Sequence, residues 1–316
     1  MTTSAYSGPA FDLANGTARA KIGSVAAVLR ALSVDGVALT ETVADDALPP
    51  SGCGIVLAPW PNRVRDARWL LDGEPQQLDI TEPALGNASH GLLRNTAYRV
   101  IESSVDAVTL GALVAPQHGW PFALDTWVRY ELQPDGLTVT HGVTNASGRR
   151  APWAVGAHPY LRVGEVPIEQ LTVTLSGATR LELDDRSLPI GRVAVEGTDF
   201  DLREGRVLAD VDLNVAYGDL GIGDRGDGER ADVASLTAPD GSCTTVWHDA
   251  AFAWCQGYTP RAFPRAADSH GGPGLAVALE PMTAPPDALN SGEGLIWLEP
   301  DATWQASWGI RYTVAS

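Results

Sequence analysis

The clearest alternation lies near the end of the chain. Trp304, Ala306, Trp308, Ile310, Tyr312 and Val314 are apolar, while Gln305, Ser307, Gly309, Arg311 and Thr313 between them are polar or small. A period of two over that length predicts a β-strand with one buried face. Two more runs, 127–132 and 137–144, flank Pro134-Asp135-Gly136, and another pair, 233–237 and 243–247, flanks Asp240-Gly241. Asp35-Gly36 and Asp72-Gly73 stand between apolar runs in the same way. Asp-Gly suits the positive φ angles of tight hairpin turns, so four hairpins are predicted. Apolar spacing of the i, i+3, i+4, i+7 kind with caps at both ends is scarce, so helices should be few. The 22 prolines and 33 glycines punctuate the chain with turns. The pattern predicts an all-β protein, a large antiparallel β-sandwich.

Length would allow two domains at roughly 150 residues each, but β-sandwiches of about 200–250 residues occur as one unit. The stretches 44–54, 218–230 and 260–274 read as loops, and none resembles a linker between two independent patterns. One domain spanning 1–316 is expected.

Charge narrows the partners. Lys and Arg total 22 against 39 Asp and Glu, a balance of 22 − 39 = −17. Such a surface repels phosphate backbones and anionic lipid, so neither nucleic acid nor membrane is expected as a partner. Lys21 is the sole lysine and has no motif around it. Schiff-base catalysis, pyridoxal phosphate attachment and Walker-type phosphate binding each need a placed lysine, and all three are disfavoured. Cys53, Cys243 and Cys255 show no C-x-x-C spacing and read as small, semi-buried hydrophobes. No charged segment followed by an apolar one opens the chain, and no apolar run reaches about 18 residues. A cytoplasmic protein is expected, as a monomer or weak homodimer.

Several motifs fail on inspection. Gly221-Ile-Gly-Asp-Arg-Gly226 matches G-x-G-x-x-G, but its acidic, glycine-rich continuation lacks the following helix a dinucleotide site requires. Asp210-Val-Asp212-Leu-Asn214 resembles the start of an EF-hand loop, yet Val215 stands where the turn needs glycine. The histidines at 90, 118, 141, 158, 248 and 270 show no H-E-x-x-H or H-x₃–₅-H pairing, and no metal site is expected. No G-x-S-x-G elbow marks a serine hydrolase.

Four segments combine a reactive side chain with rigid neighbours. Pro59-Trp60-Pro61-Asn62-Arg63 sets hydrogen-bonding groups beside an aromatic face, a mixture that suits sugars. The others are Asn87-Ala-Ser-His90-Gly91-Leu92, Gly156-Ala-His158-Pro159-Tyr160 and Leu279-Glu280-Pro281-Met282 with its Pro-rich continuation to Asn290. Each alone is a weak signal, and Leu298-Glu299-Pro300 repeats the Leu-Glu-Pro tripeptide.

Together, and in this order, the four segments resemble the aldose 1-epimerase (galactose mutarotase) family, over about residues 55–300. Ser291-Gly-Glu-Gly-Leu-Ile296 and Trp247-His-Asp-Ala-Ala-Phe-Ala-Trp254 extend the likeness. The resemblance implies a galactose mutarotase-like supersandwich with a sugar cleft on one sheet. It implies an isomerase that interconverts the α and β anomers of a free aldose without a cofactor. By that likeness Glu280 is the general base, His158 the general acid and His90 a second histidine near the ring oxygen. Arg63 clamps hydroxyls beside Asn62, and Trp60 and Tyr160 complete the sugar contacts. The Pro-rich continuation favours Glu280 over Glu299. Asn214, in Leu213-Asn214-Val-Ala-Tyr217, stands where the family commonly has an Asp, which implies an altered preference among sugars.

The residue types suit this chemistry independently. Mutarotation takes a proton from the C1 hydroxyl while giving one to the ring oxygen, so one group must start deprotonated and the other protonated. A carboxylate and an imidazolium meet that need. Three rivals remain: a hexose-6-phosphate 1-epimerase drawing on Arg65, Arg68 or Arg94, a carbohydrate-binding sensor without turnover, and a glycoside hydrolase. The hydrolase would want two carboxylates about the bond.

Overall fold

A computed structural model of the chain describes residues 8–221, 229–265 and 273–315. Within them antiparallel strands dominate, and the sole α-helix among the described residues is the four-residue Ala288–Ser291. No helix among them is long and apolar enough to cross a membrane. The glycine-rich run 222–226 and His270 lie outside the described residues.

Two large sheets carry the architecture. The first runs, among the described residues, Arg99–Ser103, Ala107–Val114, Leu124–Gln133, Gly136–Asn145, Thr303–Thr313, Cys243–His248, Ala231–Thr237, Thr172–Leu175 and Arg206–Val207. The second runs Pro189–Ala194, Thr179–Leu183, Asn214–Gly218, Trp254–Tyr258, Val277–Met282, Gly156–Ala157 and Val56–Leu57, with Tyr160–Leu161 also paired to Val277–Met282. A four-stranded meander over 10–38 adds Leu13, Ile22 and Leu32 to the same core. One contiguous core joins Val139, Val246 and Trp308 of the first sheet to Val215, Cys255, Val277 and Leu279 of the second.

The C-terminal alternation emerges as Thr303–Thr313 in the middle of the first sheet. Ala306, Trp308 and Ile310 are buried, and Arg311 is exposed. Trp308 also donates its indole N–H to His141 Nε2 at 3.0 Å, which satisfies two polar groups inside the sandwich. Val314 lies past the strand end and is exposed, because no partner strand covers it there.

All four predicted hairpins form. Two use Asp-Gly as expected, with positive φ at both residues: Asp35 and Gly36, and Asp72 and Gly73. The third shifts by one residue. Gln133 pairs with Gly136, so Pro134 and Asp135 form the turn and Gly136 already belongs to the strand. Gly136 is needed for close approach instead, since a Cβ there would lie 2.0 Å from the Ile310 carbonyl oxygen. The fourth adds a local bond: Asp240 Oδ1 accepts from the Ser242 N–H at 2.8 Å.

Cys53 and Cys255 are buried and unpaired, in keeping with their reading as small hydrophobes.

Leu279 sits on the core face of a strand buried on both sides. Leu279→Ala should therefore lower unfolding free energy by about 2–5 kcal/mol, read as a reduced midpoint in guanidinium denaturation.

Candidate active site

The strand Val277–Met282 sends alternate residues to opposite faces. Val277 and Leu279 join the central core, and Ala278, Glu280 and Met282 take the other side. Its neighbour Trp254–Tyr258 pairs in the register Gln256 opposite Glu280. The next strand sets Asn214 opposite Tyr258. Period and register thus bring Asn214, Gln256, Tyr258 and Glu280 to one face, where they line a cleft of about 360 Å³. On the far side, Gly156 pairs with Met282 and Leu57, and His158 follows two residues on. His158 N–H donates to Ile55 O at 3.1 Å, and Gly54 N–H donates back to His158 O at 2.8 Å.

The remaining wall comes from 62–63 and 89–90. Arg63 pairs with Ser89 in a two-stranded ladder, and His90 N–H donates to Asn62 O at 2.8 Å. Asn62 and His90 both hold positive φ, 54° and 62°. Such backbone costs on the order of 1–3 kcal/mol per residue and persists only where surroundings enforce it. Gly91 supplies part of that enforcement, because a Cβ there would lie 2.0 Å from Ala58 O. The Pro-rich continuation acts as a buckle. Asp287 N–H donates to Arg63 O at 2.7 Å, and its carboxylate accepts from the Arg65 N–H at 2.9 Å. Thr283 ties the other end, with Oγ1 accepting from the Val155 N–H at 2.9 Å.

Within the cleft Glu280 and His158 are the most confined ionisable groups, 2% and 4% exposed. His158 Nε2 stands 3.4 Å from Glu280 Oε1. Burial pushes the Glu280 carboxyl up to about 8, against a smaller opposing pull from Arg63. Burial likewise draws the His158 imidazole down to about 4. Desolvation disfavours charge on both, which favours the neutral acid and the neutral imidazole. The raised carboxyl follows the direction expected for a group that must both take and give a proton, while the imidazole shifts the other way. His90 stands edge-on to His158, ring centroids 5.5 Å apart. Burial, with His158, Arg63 and Arg94 nearby, holds its pKa well below the ordinary range.

A hydrogen-bonded chain crosses the cleft. Glu82 grips Arg63 with both oxygens, each at 2.8 Å. Arg63 Nη1 donates to Asn62 Oδ1 at 3.4 Å, and Asn62 Nδ2 donates to Gln256 Oε1 at 3.2 Å. Gln256 Nε2 donates to Asn214 Oδ1 at 3.2 Å. A guanidinium has no acceptor, so its donation sets the direction of every amide after it.

Glu280, His158, His90, Arg63, Asn62 and Asn214 are thus brought to one cleft. Two expected sugar contacts are not. Trp60 is buried, with its ring 5.6 Å from Trp120, because the core offers the indole more apolar contact than a wet cleft would. Tyr160 lies behind the site, stacked on His158 at 5.1 Å and 13°, with Phe263 at 4.5 Å beyond it. It supports the imidazole and does not line the cleft. Glu299 is exposed and pairs with Arg150, so burial separates the two Leu-Glu-Pro glutamates. Of the three arginines considered for a phosphate, only Arg94 lines the cleft. Arg65 is held by Asp184 and Asp287, and Arg68 reaches the Gln77 side chain. Gln256 and Glu82 escaped sequence reasoning. Gln256 carried one usable signal, a polar residue alternating within the apolar run 254–258.

Comparisons with known proteins agree with this fold. A family model of aldose 1-epimerases matches residues 10–311. The uncharacterized protein YihR of Escherichia coli K12 is 29% identical over 303 residues, covering 95% of this chain and 92% of that one. The solved GalM/aldose epimerase homologue from C. elegans superposes with a TM-score of 0.82 at 15% identity, over 98% of this chain and 99% of its own. Galactose 1-epimerase from Lactobacillus acidophilus gives 0.78 at 18% identity, over 96% and 94%. These structures share the fold.

The raised carboxyl is directly testable. Infrared spectra at pH 6 should contain a protonated-carboxyl band that Glu280→Gln lacks and that fades as pH rises through about 8. An unfolded Glu titrates near 4.3, so the folded state holds this proton over a window in which the unfolded chain has lost it. Stability from this group is complete below about 4.3 and lost as pH rises through the folded value. Glu280→Gln should therefore gain stability relative to wild type between pH 5 and pH 9, measured by denaturation at each pH.

Proposed function

Because the chain belongs to the aldose 1-epimerase family, we propose that it interconverts the α and β anomers of an aldose by acid–base ring opening and closure. The observation that carries this reading is the buried Glu280–His158 pair, its two groups 3.4 Å apart in a sugar-sized cleft. Mutarotation needs one donor and one acceptor at the same moment, and a pair holding one proton supplies both.

In the productive form Glu280 is the carboxylate and His158 the imidazolium, reached by transfer of the Glu280 proton. A bound sugar favours this form by hydrogen-bonding both charges. Glu280 takes the proton of the C1 hydroxyl as His158 gives its proton to the ring oxygen. The C1–O5 bond breaks, its electrons stay on O5, and C1 becomes an aldehyde carbon. Rotation about C1–C2 presents the other face, and the reverse transfers close the ring. The step is redox-neutral, and this chain's own side chains suffice for it. His90 would lie beside the ring oxygen, and Arg63, Asn62 and Asn214 would hold hydroxyls. Orientation by the amide chain adds to the acid–base contribution, itself about 10²–10⁴-fold.

The pair also supports this reading over a sensor. Binding alone gains nothing from two buried, mutually titrating groups, which cost stability. A glycoside hydrolase would want a second carboxylate beside the bond, and both oxygens of the other cleft carboxylate, Glu82, are engaged by Arg63.

Polarimetry of freshly dissolved α-anomers is the test. Wild type should speed equilibration, and Glu280→Gln or His158→Ala should remove at least about 10²-fold of the gain. Sugar binding without acceleration would favour the sensor. The rate should be bell-shaped in pH, falling on the acid side as His158 gains a second proton near 4 and on the alkaline side as the pair loses its last proton near 8. Asn214→Asp should change the ranking of glucose, galactose and arabinose in the same assay, and an unchanged ranking would count against a specificity role for residue 214.

A further inference from the structure

Among the described residues that line the cleft, Glu82 is the carboxylate that the acid–base steps leave unused. Its place is built from several contacts. The chain from 82 to 87 closes on itself: the Glu82 N–H donates to Asn87 O at 3.0 Å, and Glu82 O accepts from the Gly86 N–H at 2.9 Å. Buried Asn87 ties that turn to a distant loop, its Nδ2 donating to Arg186 O and its Oδ1 accepting from Arg186 Nη2, both at 3.2 Å. Arg186 Nε also donates to Leu85 O at 2.9 Å. From this fixed root the carboxylate reaches Arg63 with both oxygens, accepting from Nε and Nη2 at 2.8 Å each. Two parallel bonds of this kind set the plane of a guanidinium as well as its distance.

Arg63 Nη1 donates to Asn62 Oδ1 at 3.4 Å. The remaining N–H donors are the part of Arg63 that can meet a hydroxyl in the cleft. The charge of Arg63 matters as well. It opposes protonation of Glu280, and it acts in the same sense on His158 and His90. Arg94 adds to this effect at His90. The nearby Asp287 carboxylate is engaged by Arg65, and Tyr160 and Cys255 beside Glu280 are kept neutral by burial. Among the described residues, Glu82 is the anion that contacts the Arg63 guanidinium.

We propose that Glu82 is a positioning residue for the ring-opening reaction: it holds Arg63 in the pose that meets the sugar, and it offsets the guanidinium charge beside Glu280, His158 and His90. The proposal rests on the epimerase reading of the cleft and adds a residue outside the acid–base pair. Without this carboxylate, Arg63 keeps its full charge and loses the bonds that set its plane. An uncompensated cation favours the carboxylate form of Glu280, so the proton should leave at lower pH. A neighbour that only supported the fold would change stability and leave that titration where it is.

Two readouts test this, anomer exchange of D-glucose by NMR and the Glu280 carboxyl band in the infrared, both followed against pH. The proteins are wild type, Glu82→Gln, Glu82→Asp, Arg63→Met and the double variant of Arg63→Met with Glu82→Gln. Glu82→Gln should lower kcat/KM by about 10- to 100-fold. It should also bring the alkaline limb of the rate and the fading of the band down by about one pH unit. Glu82→Asp keeps the charge at a shorter reach, so its band should fade near the wild-type pH while kcat/KM falls. In the Arg63→Met background, adding Glu82→Gln should move neither readout, because the carboxylate acts through the guanidinium. A Glu82→Gln band that fades at the wild-type pH, or an equal shift in the Arg63→Met background, would overturn the proposal. Should Glu82→Gln not fold, Glu82→Asp decides, and a wild-type rate there overturns it. If wild type exchanges glucose no faster than buffer, the epimerase reading fails, and the infrared titration still decides whether Glu82 acts on Glu280 through Arg63.

Discussion

The pairing of Trp254–Tyr258 with Val277–Met282, in the register that sets Gln256 opposite Glu280, governs the site. Side chains alternate strictly across a strand, so a slip of one residue would turn Glu280 into the core and Leu279 into the cleft. The core holds the register. Val277, Leu279 and Cys255 are packed on one side, and their burial cannot survive the slip. Hydrophobic packing in the interior therefore fixes the position of a carboxylate that gains nothing from it.

That carboxylate sits where water would otherwise hydrate it, and the same confinement that raises its pKa makes it useful. Glu280 and His158 each resist charge, and each offers the other a proton partner at 3.4 Å. Such a pair costs stability, and in the proposed reaction it would supply both the proton donor and the proton acceptor. Tyr160 and Phe263 stack behind the imidazole, so its ring plane is set by apolar contacts rather than by the cleft.

Across the cleft the controlling element is a donor that cannot accept. Glu82 orients Arg63, and from Arg63 the direction of hydrogen bonding passes through Asn62 and Gln256 to Asn214. Residues 62 and 256 lie far apart in the chain, and the two-stranded ladder at Arg63, buckled to Asp287, helps bring them together. Strained backbone at Asn62 and His90 is tolerated there because close contacts such as Gly91 against Ala58 leave no easier path.

Local chemistry made much of this legible in the chain itself. Alternation predicted the central strand 303–313, Asp-Gly pairs predicted the hairpins, and scarce helical spacing predicted an all-β sandwich, because these depend on neighbours within a few residues. The segments around Asn62, His90, His158 and Glu280, each weak alone, pointed to the cleft through their joint resemblance to the aldose 1-epimerase family. Tertiary structure decided the rest. It sent Trp60 inward to Trp120, put Tyr160 behind His158, and distinguished buried Glu280 from exposed Glu299. It also recruited Glu82 and Gln256, left Arg94 without a carboxylate partner among the described residues, and set Glu280 and His158 3.4 Å apart. Those outcomes depend on desolvation and on contacts between residues far apart in the chain. Both are properties of the packed interior, and no local pattern of residues encodes them.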